Sequence, residues 1–219
     1  MHFLSRIRDL CVDFLFPKSG KVLELEVLSA GMLLETLPPA ENLKDKHTMA
    51  LFNYGHSLVK EIVWELKYSG NVRIANKLGE ILYDHIQHKL QDLTLFEKWD
   101  KPIIIPIPIS NKRRLERGWN QSELLAEEIL KRDSEKMFRY MPRQLAKVRD
   151  TGSQTKTRSR KERLENLTDS MKVLNTPSVA GECVIVLDDV TTTGSTFAEA
   201  RRALRAAGTR KILCVAVAH

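Results

Sequence analysis

Residues 183–196, Cys-Val-Ile-Val-Leu-Asp-Asp-Val-Thr-Thr-Thr-Gly-Ser-Thr, carry an apolar run straight into two carboxylates and then into a turn rich in hydroxyls. Cys183 to Leu187 contains no charged side chain, which predicts a strand covered on both faces within a parallel sheet. In open α/β sheets ligands bind at the carboxyl ends of the strands, and Asp188 and Asp189 stand at that end. Thr192 to Thr196 then offers successive backbone N–H groups, with Gly194 free to take a positive φ. A helical pattern follows from Phe197 to Ala207 and stops at Gly208. An anion belongs at such a helix N-terminus, because the first amides have no partner inside the helix. The stretch therefore predicts a site for a phosphorylated sugar.

Its two halves do different work. Ionised Asp188 and Asp189 accept hydrogen bonds, so they can hold a vicinal ribose diol, or Mg²⁺ directly or through water. The turn takes the phosphate: the hydroxyls of Thr192, Thr193, Ser195 and Thr196 add donors of adjustable direction, and Gly194 lets the backbone approach closely. Each element alone fits a plainer arrangement, a strand ending in an Asp-rich turn before a Thr-capped helix. The elements together, in this order, favour phosphate binding. This reading requires that the turn's amides face outward and that internal salt links leave the acidic pair room outside.

A second motif lies upstream. Ile103 to Ile107 is a β-branched run that predicts another buried strand, and Pro106 and Pro108 force the chain out of the sheet. A loop is expected next, carrying Lys112, Arg113, Arg114 and Arg117 against the single acid Glu116. Arginine forks suit pyrophosphate oxygens bidentately; the plainer alternative is a solvated basic loop capping a helix over Gln121 to Lys131. The most basic stretch is 143–163, with eight Lys or Arg against Asp150 and Glu162. Thr151-Gly152-Ser153-Gln154-Thr155 interrupts it without any period, which predicts a mobile loop able to close over substrate. Nucleic-acid phosphates are the rival ligand for these charges, through Arg158, Arg160 and Lys161, and a solvated surface is the third alternative.

The stretch Asp188-Asp189-Val190-Thr191-Thr192-Thr193-Gly194-Ser195-Thr196 resembles the phosphoribosyl pyrophosphate (PRPP) signature of type I phosphoribosyltransferases. One position departs from it: Thr191 stands where an apolar residue is common. Residues 103–121, Ile-Ile-Ile-Pro-Ile-Pro-Ile-Ser-Asn-Lys-Arg-Arg-Leu-Glu-Arg-Gly-Trp-Asn-Gln, are similar to a segment of the ComF / gluconate-periplasmic-protein-X group within that family. Tyr54-Gly55, Leu66-Lys67-Tyr68-Ser69-Gly70, Thr151, Gln154, Glu162-Arg163 and Asn166 match other landmarks of the group, so the resemblance runs from about Tyr54 to the end. It implies that Asp188 and Asp189 meet the ribose hydroxyls at the catalytic centre and hold Mg²⁺. It assigns Thr192, Thr193, Gly194, Ser195 and Thr196 to the 5′-phosphate, and Ile109, Ser110, Arg113 and Arg117 to the pyrophosphate. A flexible loop near 150–163 would cover the reaction centre. The implied function is transfer of a phosphoribosyl group from PRPP to an unknown acceptor with release of pyrophosphate. The competence side of the resemblance implies an alternative, a PRPP-sensing or single-stranded-DNA-handling protein with little catalysis that works with the competence machinery.

The rest of the chain fits an α/β fold. Apolar segments at 103–107, 183–187 and 211–218, separated by helical patterns, predict a mostly parallel twisted sheet with helices on both faces. Met49 to Tyr54 reads as a further strand, His56 to Tyr68 and Val72 to Leu90 as helices, and Gly70 as the stop between them. Lys67 is within reach of a phosphate, although a lysine at a helix end is more often a C-terminal charge. Residues 1–46 are expected as a small N-terminal appendage and 47–219 as the phosphoribosyltransferase-like domain. Within the appendage Phe3 to Leu15 has helical spacing, and Lys21 to Leu28 alternates like a strand.

Hydrophobic content of 42% with 29% charged residues is ordinary for a globular protein, and the net charge of +7 favours anionic ligands. Cys11, Cys183 and Cys214 are far apart and odd in number, so free thiols and a cytoplasmic location are expected. Many members of the resembled group carry a four-cysteine zinc site after a segment like Phe14-Leu15-Phe16-Pro17. Here Lys18-Ser19-Gly20 follows, so no zinc is expected. No run reaches the ~18 apolar residues of a membrane span.

Overall fold

The computed structural model describes residues 20–41, 43, 45–95, 97–149 and 169–219. Helices α1 (Gly20–Val27) and α2 (Ala30–Thr36) lead into β1 (Thr48–Phe52), α3 (Ser57–Trp64), a π-helical turn (Glu65–Ser69) and the long α4 (Val72–Thr94). β2 (Ile103–Pro106), α5 (Asn111–Arg117), α6 (Gln121–Leu130), β3 (Arg139–Tyr140) and β4 (Leu145–Lys147) follow. After them come β5 (Met171–Val173), a 3-10 turn (Thr176–Ser178), β6 (Cys183–Val190), α7 (Ser195–Ala206) and β7 (Lys211–Ala218).

β1, β7, β6, β2 and β3 lie side by side in that order, and every neighbouring pair is parallel. Ile104 stands opposite Ile185, and Ile185 opposite Leu213. Strand alternation then sorts the side chains into two cores. Ile104, Ile185, Leu187, Leu213 and Val215 meet Ile62, Leu78, Leu82 and Leu125 of α3, α4 and α6. Ile103, Ile105, Val184, Val186 and Cys214 meet Phe197, Ala200 and Leu204 of α7 on the other face. Covered on both sides, β6 stays apolar until Asp188, which is the α/β architecture the apolar runs predict. β4 and β5 form a separate antiparallel pair, with Leu145 opposite Val173, and seat Leu145 and Met171 in the second core.

Three local expectations change. Lys21 to Leu28 is helical rather than extended: its alternation also sets Val22 and Leu25 three apart on one side, where both are buried. Tertiary partners decide between the two periods. Lys77 Nζ donates to the carbonyls of Leu25 at 2.9 Å and Glu26 at 2.5 Å, closing the helix end, while Glu26 pairs with Arg73 at 3.0 Å. The expected basic loop after β2 is instead α5. Ser110 caps it by accepting from the Arg113 amide, and Gly118, at φ 84°, ends it by donating to the Arg114 carbonyl.

The third change is the helix expected over His56 to Tyr68, which stops at Trp64 and widens into the π turn. Gly70, at φ 58°, donates to the Glu65 carbonyl five residues back, and the Trp119 indole N–H takes the Leu66 carbonyl at 2.9 Å. The expected helix over Phe3 to Leu15 and the expected mobile loop with Arg158, Arg160 and Lys161 lie outside the described residues. Cys183 and Cys214 are free and buried on neighbouring strands, and burial pushes the Cys214 thiol up to about 12. No helix among the described residues is long and apolar enough to cross a membrane.

Candidate functional site

The end of β6 delivers Asp188 and Asp189 to the carboxyl edge of the sheet, where they are 7% and 3% exposed. Asp188 Oδ1 accepts from the Ser122 hydroxyl at 3.0 Å and from the Asp189 amide at 2.9 Å. Its other oxygen meets no donor among the described residues. Asp189 Oδ1 accepts from Gln121 Nε2 at 3.4 Å, and Asp189 Oδ2 forms an ion pair with Lys67 Nζ at 2.9 Å. One of the two acids is thus salt-linked within the protein, which the sequence reading did not anticipate. Lys67 is itself a quarter exposed, so the pair lies at the site's mouth and not in the core.

Two acids with one adjacent cation leave the site short of positive charge. Burial, and then the charge of Asp189 beside it, raise the Asp188 carboxyl well above the ordinary carboxylate range. Burial acts against the Lys67 ammonium, but the charges of Asp189 and Asp188 outweigh it and raise its pKa. The arrangement therefore favours a second cation or a pair of hydroxyl donors beside Asp188.

The turn after β6 is built to expose amides. Thr191 is held by its N–H on the Ala218 carbonyl at 2.9 Å, and its own carbonyl is 2.9 Å from His219 Nδ1. Thr193 Oγ1 and Ser195 Oγ are 2.9 Å apart, which ties the turn to the first residue of α7. Gly194 precedes that helix at φ 73°, and a Cβ placed on it would meet nothing within 4 Å, so its face opens outward. The first backbone bond of α7 runs from the Ala198 N–H to the Gly194 carbonyl. The amides of Thr196 and Phe197 find no acceptor among the described residues, the helix-start geometry that suits an anion. Thr192 is exposed, Thr193 and Thr196 are half-buried, and Ser195 is buried.

Of the residues expected upstream, Ser110 is buried as the α5 cap and Ile109 is half-buried before it. Arg113 makes no hydrogen bond or ion pair among the described residues. Arg117 lies 4.7 Å above the Tyr68 ring, and its guanidinium donates to Gln121 Oε1 at 3.4 Å. Gln121 therefore joins Arg117 to Asp189, bringing the basic helix and the acidic pair to one edge.

Sequence reasoning missed Lys67, Gln121 and Ser122. All three belong to or adjoin quoted landmarks, Leu66 to Gly70 and Arg117 to Gln121, whose geometry explains them. Asn120 Nδ2 donates to the Ile107 carbonyl at 2.9 Å and its Oδ1 accepts from the Ser122 amide at 3.0 Å. That clasp ties the exit of β2 to the start of α6 and points Gln121 and Ser122 at the aspartates.

Relatives share these features' sequence context. The family model of the phosphoribosyl transferase domain matches residues 132–219. Over 208 residues the chain is 30% identical to the DNA utilization protein YhgH of Shigella flexneri, covering 92% of this chain and 83% of that protein. It is 29% identical to the protein of that name from Escherichia coli O6:H1, with the same shares covered. Competence protein ComFC of Bacillus subtilis is 26% identical over 164 residues, 75% of this chain and 60% of that protein. Likeness that extends from α1 to β7 and includes the domain match makes the chain a member of the ComF-like, YhgH/ComFC-type group of type I phosphoribosyltransferase proteins.

Proposed function

We propose that this protein binds Mg²⁺-PRPP and transfers its phosphoribosyl group to an acceptor, releasing pyrophosphate. One observation carries the reading: two buried carboxylates are followed within a few residues by unpaired amides behind the open face of Gly194. PRPP presents the complement, a diol beside a 5′-phosphate. In this reading Asp188 and Asp189 accept the ribose hydroxyls, Thr192 to Thr196 take the 5′-phosphate, and Ile109, Ser110, Arg113 and Arg117 face the pyrophosphate.

The acidic pair fits Mg²⁺ by its hard oxygen donors. Among the described residues no third His, Cys, Asp or Glu joins it, as suits an ion that keeps waters and phosphate ligands. When bound, the ion would neutralise the departing pyrophosphate. The C1′–O bond breaks with its electron pair leaving on pyrophosphate, the acceptor's lone pair forms the new bond at C1′, and the acceptor's proton passes to solvent. Positive charge develops at C1′ meanwhile, and Asp188 and Asp189 stabilise it electrostatically. Direct displacement needs no protein nucleophile.

Hydrogen bonds to charged groups contribute about 1.5–3 kcal/mol each, so replacing both acids by Asn should weaken Mg²⁺-PRPP binding at least ~100-fold. Calorimetry on the folded double variant Asp188→Asn/Asp189→Asn measures this; unchanged affinity would refute the assignment. A screen of purines, pyrimidines and amines for pyrophosphate release then tests transfer. The relatives named for DNA utilization and competence favour a second reading, single-stranded-DNA handling with little catalysis. It expects binding that weakens steeply with salt and on changing Arg158, Arg160 and Lys161 to Ala; salt-independent behaviour removes it.

A further inference from the structure

The π turn that brings Lys67 to Asp189 also turns two large aromatic side chains outward. Trp64 and Tyr68 flank it, each 53% exposed, with ring centroids 5.3 Å apart and planes tilted by 39°. Their neighbour Trp119 behaves differently. Its indole N–H is bound to Leu66, and its ring packs so closely on Gly70 that a Cβ there would fall 2.9 Å from it. Trp119 thus builds the turn, while the Trp64–Tyr68 pair is displayed by it. Arg117 lies over the Tyr68 ring at 4.7 Å and reaches Gln121, which binds Asp189. The displayed rings therefore adjoin the acidic pair through both Lys67 and Arg117.

Paired exposed aromatics with a guanidinium on one ring suit a flat, aromatic, hydrogen-bonding ligand attached or adjacent to phosphate. Apolar partners would be opposed by the cations alongside, since α5 buries none of its residues and presents Lys112, Arg113 and Arg117. We propose that Trp64, Tyr68 and Arg117 form a stacking platform for an unpaired nucleobase, either a free base or one in a single strand. For a free base, this names the acceptor class of the proposed transfer and rests on that reading. For a strand it stands without it.

The test titrates wild type and Trp64→Ala/Tyr68→Ala, without PRPP, with adenine and uracil, with oligothymidylate, and with an abasic strand of equal length. Both side chains are half in water, so the variant should keep its thermal midpoint, and Tyr68→Phe, which keeps the ring, should bind as the wild type does. Base-bearing ligand should quench tryptophan fluorescence in the wild type and bind at least about tenfold more weakly to the double variant. Binding of bases alone identifies a free acceptor; binding of oligothymidylate over the abasic strand identifies a polynucleotide. The proposal is overturned if neither binds, if the variant binds as tightly as the wild type, or if abasic and base-bearing strands bind alike. Repeating the titration with Asp188→Asn/Asp189→Asn separates the two readings, because that variant should lose PRPP and keep the base.

Discussion

The two edges of the central sheet carry opposite electrostatic imbalances. At the amino edge, acids are outnumbered: Lys46, His47 and Lys211 converge on Glu97 at 3.1, 3.3 and 3.4 Å. Arg201 binds Asp45, the His47 carbonyl at 2.6 Å and the Thr48 hydroxyl at 2.9 Å. The Lys46 bond holds the Glu97 carboxyl at about 2 despite its burial, helped by His47 and Lys211. Burial would push Asp45 up, but the His47 amide, the Thr48 hydroxyl and Arg201 outweigh it and also hold it at about 2. At the carboxyl edge two acids share Lys67, and the Asp188 carboxyl is raised instead. The amino edge thus spends its charges on the fold, whereas the carboxyl edge keeps a frustrated pair that a bound cation or diol would relieve.

The largest effect on stability should come from breaking the shared lysine. Asp189→Asn leaves the Lys67 ammonium without its ion-pair partner, a change that costs several kcal/mol at a fully buried site. Lys67 is a quarter exposed, so water offsets part of this and about 2 kcal/mol is expected. A shift in urea midpoint measures it, and adding Lys67→Met should recover more than half. No loss from Asp189→Asn would mean that the pair contributes nothing to the carboxyl edge.

The companion change should go the other way. Asn at 188 keeps an oxygen to accept from Ser122 and the Asp189 amide, and it removes the buried like charge. Asp188→Asn should therefore stabilise by about 1 kcal/mol at neutral pH while weakening PRPP binding. The sign follows from the raised carboxyl: its favourable contribution is full below the unfolded value near 3.8 and is lost as pH rises through the folded value. Wild type and variant should thus converge in stability on acidification. A wild type more stable than Asp188→Asn at neutral pH would place the frustration elsewhere.

How far this contrast was legible in the sequence depends on whether partners are local. β7 forms over Lys211–Ala218 as its apolar run indicates, and the positive φ of Gly194 and Gly208 follows from residues beside them. The acidic pair and the turn are contiguous, so their order alone announced them. Lys67 was not legible, because its direction depends on the π turn, and that turn depends on Trp119, far along the chain. Gln121 and Ser122 look like ordinary first-turn residues until Asn120 fixes α6 against β2. Lys21 to Leu28 carries two periods at once, and only Lys77, from α4, selects the helical one.

The smallest expected effect tests the amino edge. Glu97→Gln keeps the shape and one carbonyl acceptor but removes the charge on which Lys46, His47 and Lys211 converge. Lys46 is mostly in water, and screening limits each exposed pair, so a loss of about 0.5–1 kcal/mol is expected at neutral pH. Because the folded carboxyl is depressed, its contribution is present above the unfolded value of 4.5 and disappears as pH falls toward about 2. The gap between wild type and Glu97→Gln should close over that window, and it should shrink in high salt. Asp188→Asn also converges with wild type on acidification, but from the opposite side, with the variant the more stable of the two. Urea midpoints at neutral and acid pH for both variants therefore decide whether the two edges differ in the sign of their electrostatics or only in its size.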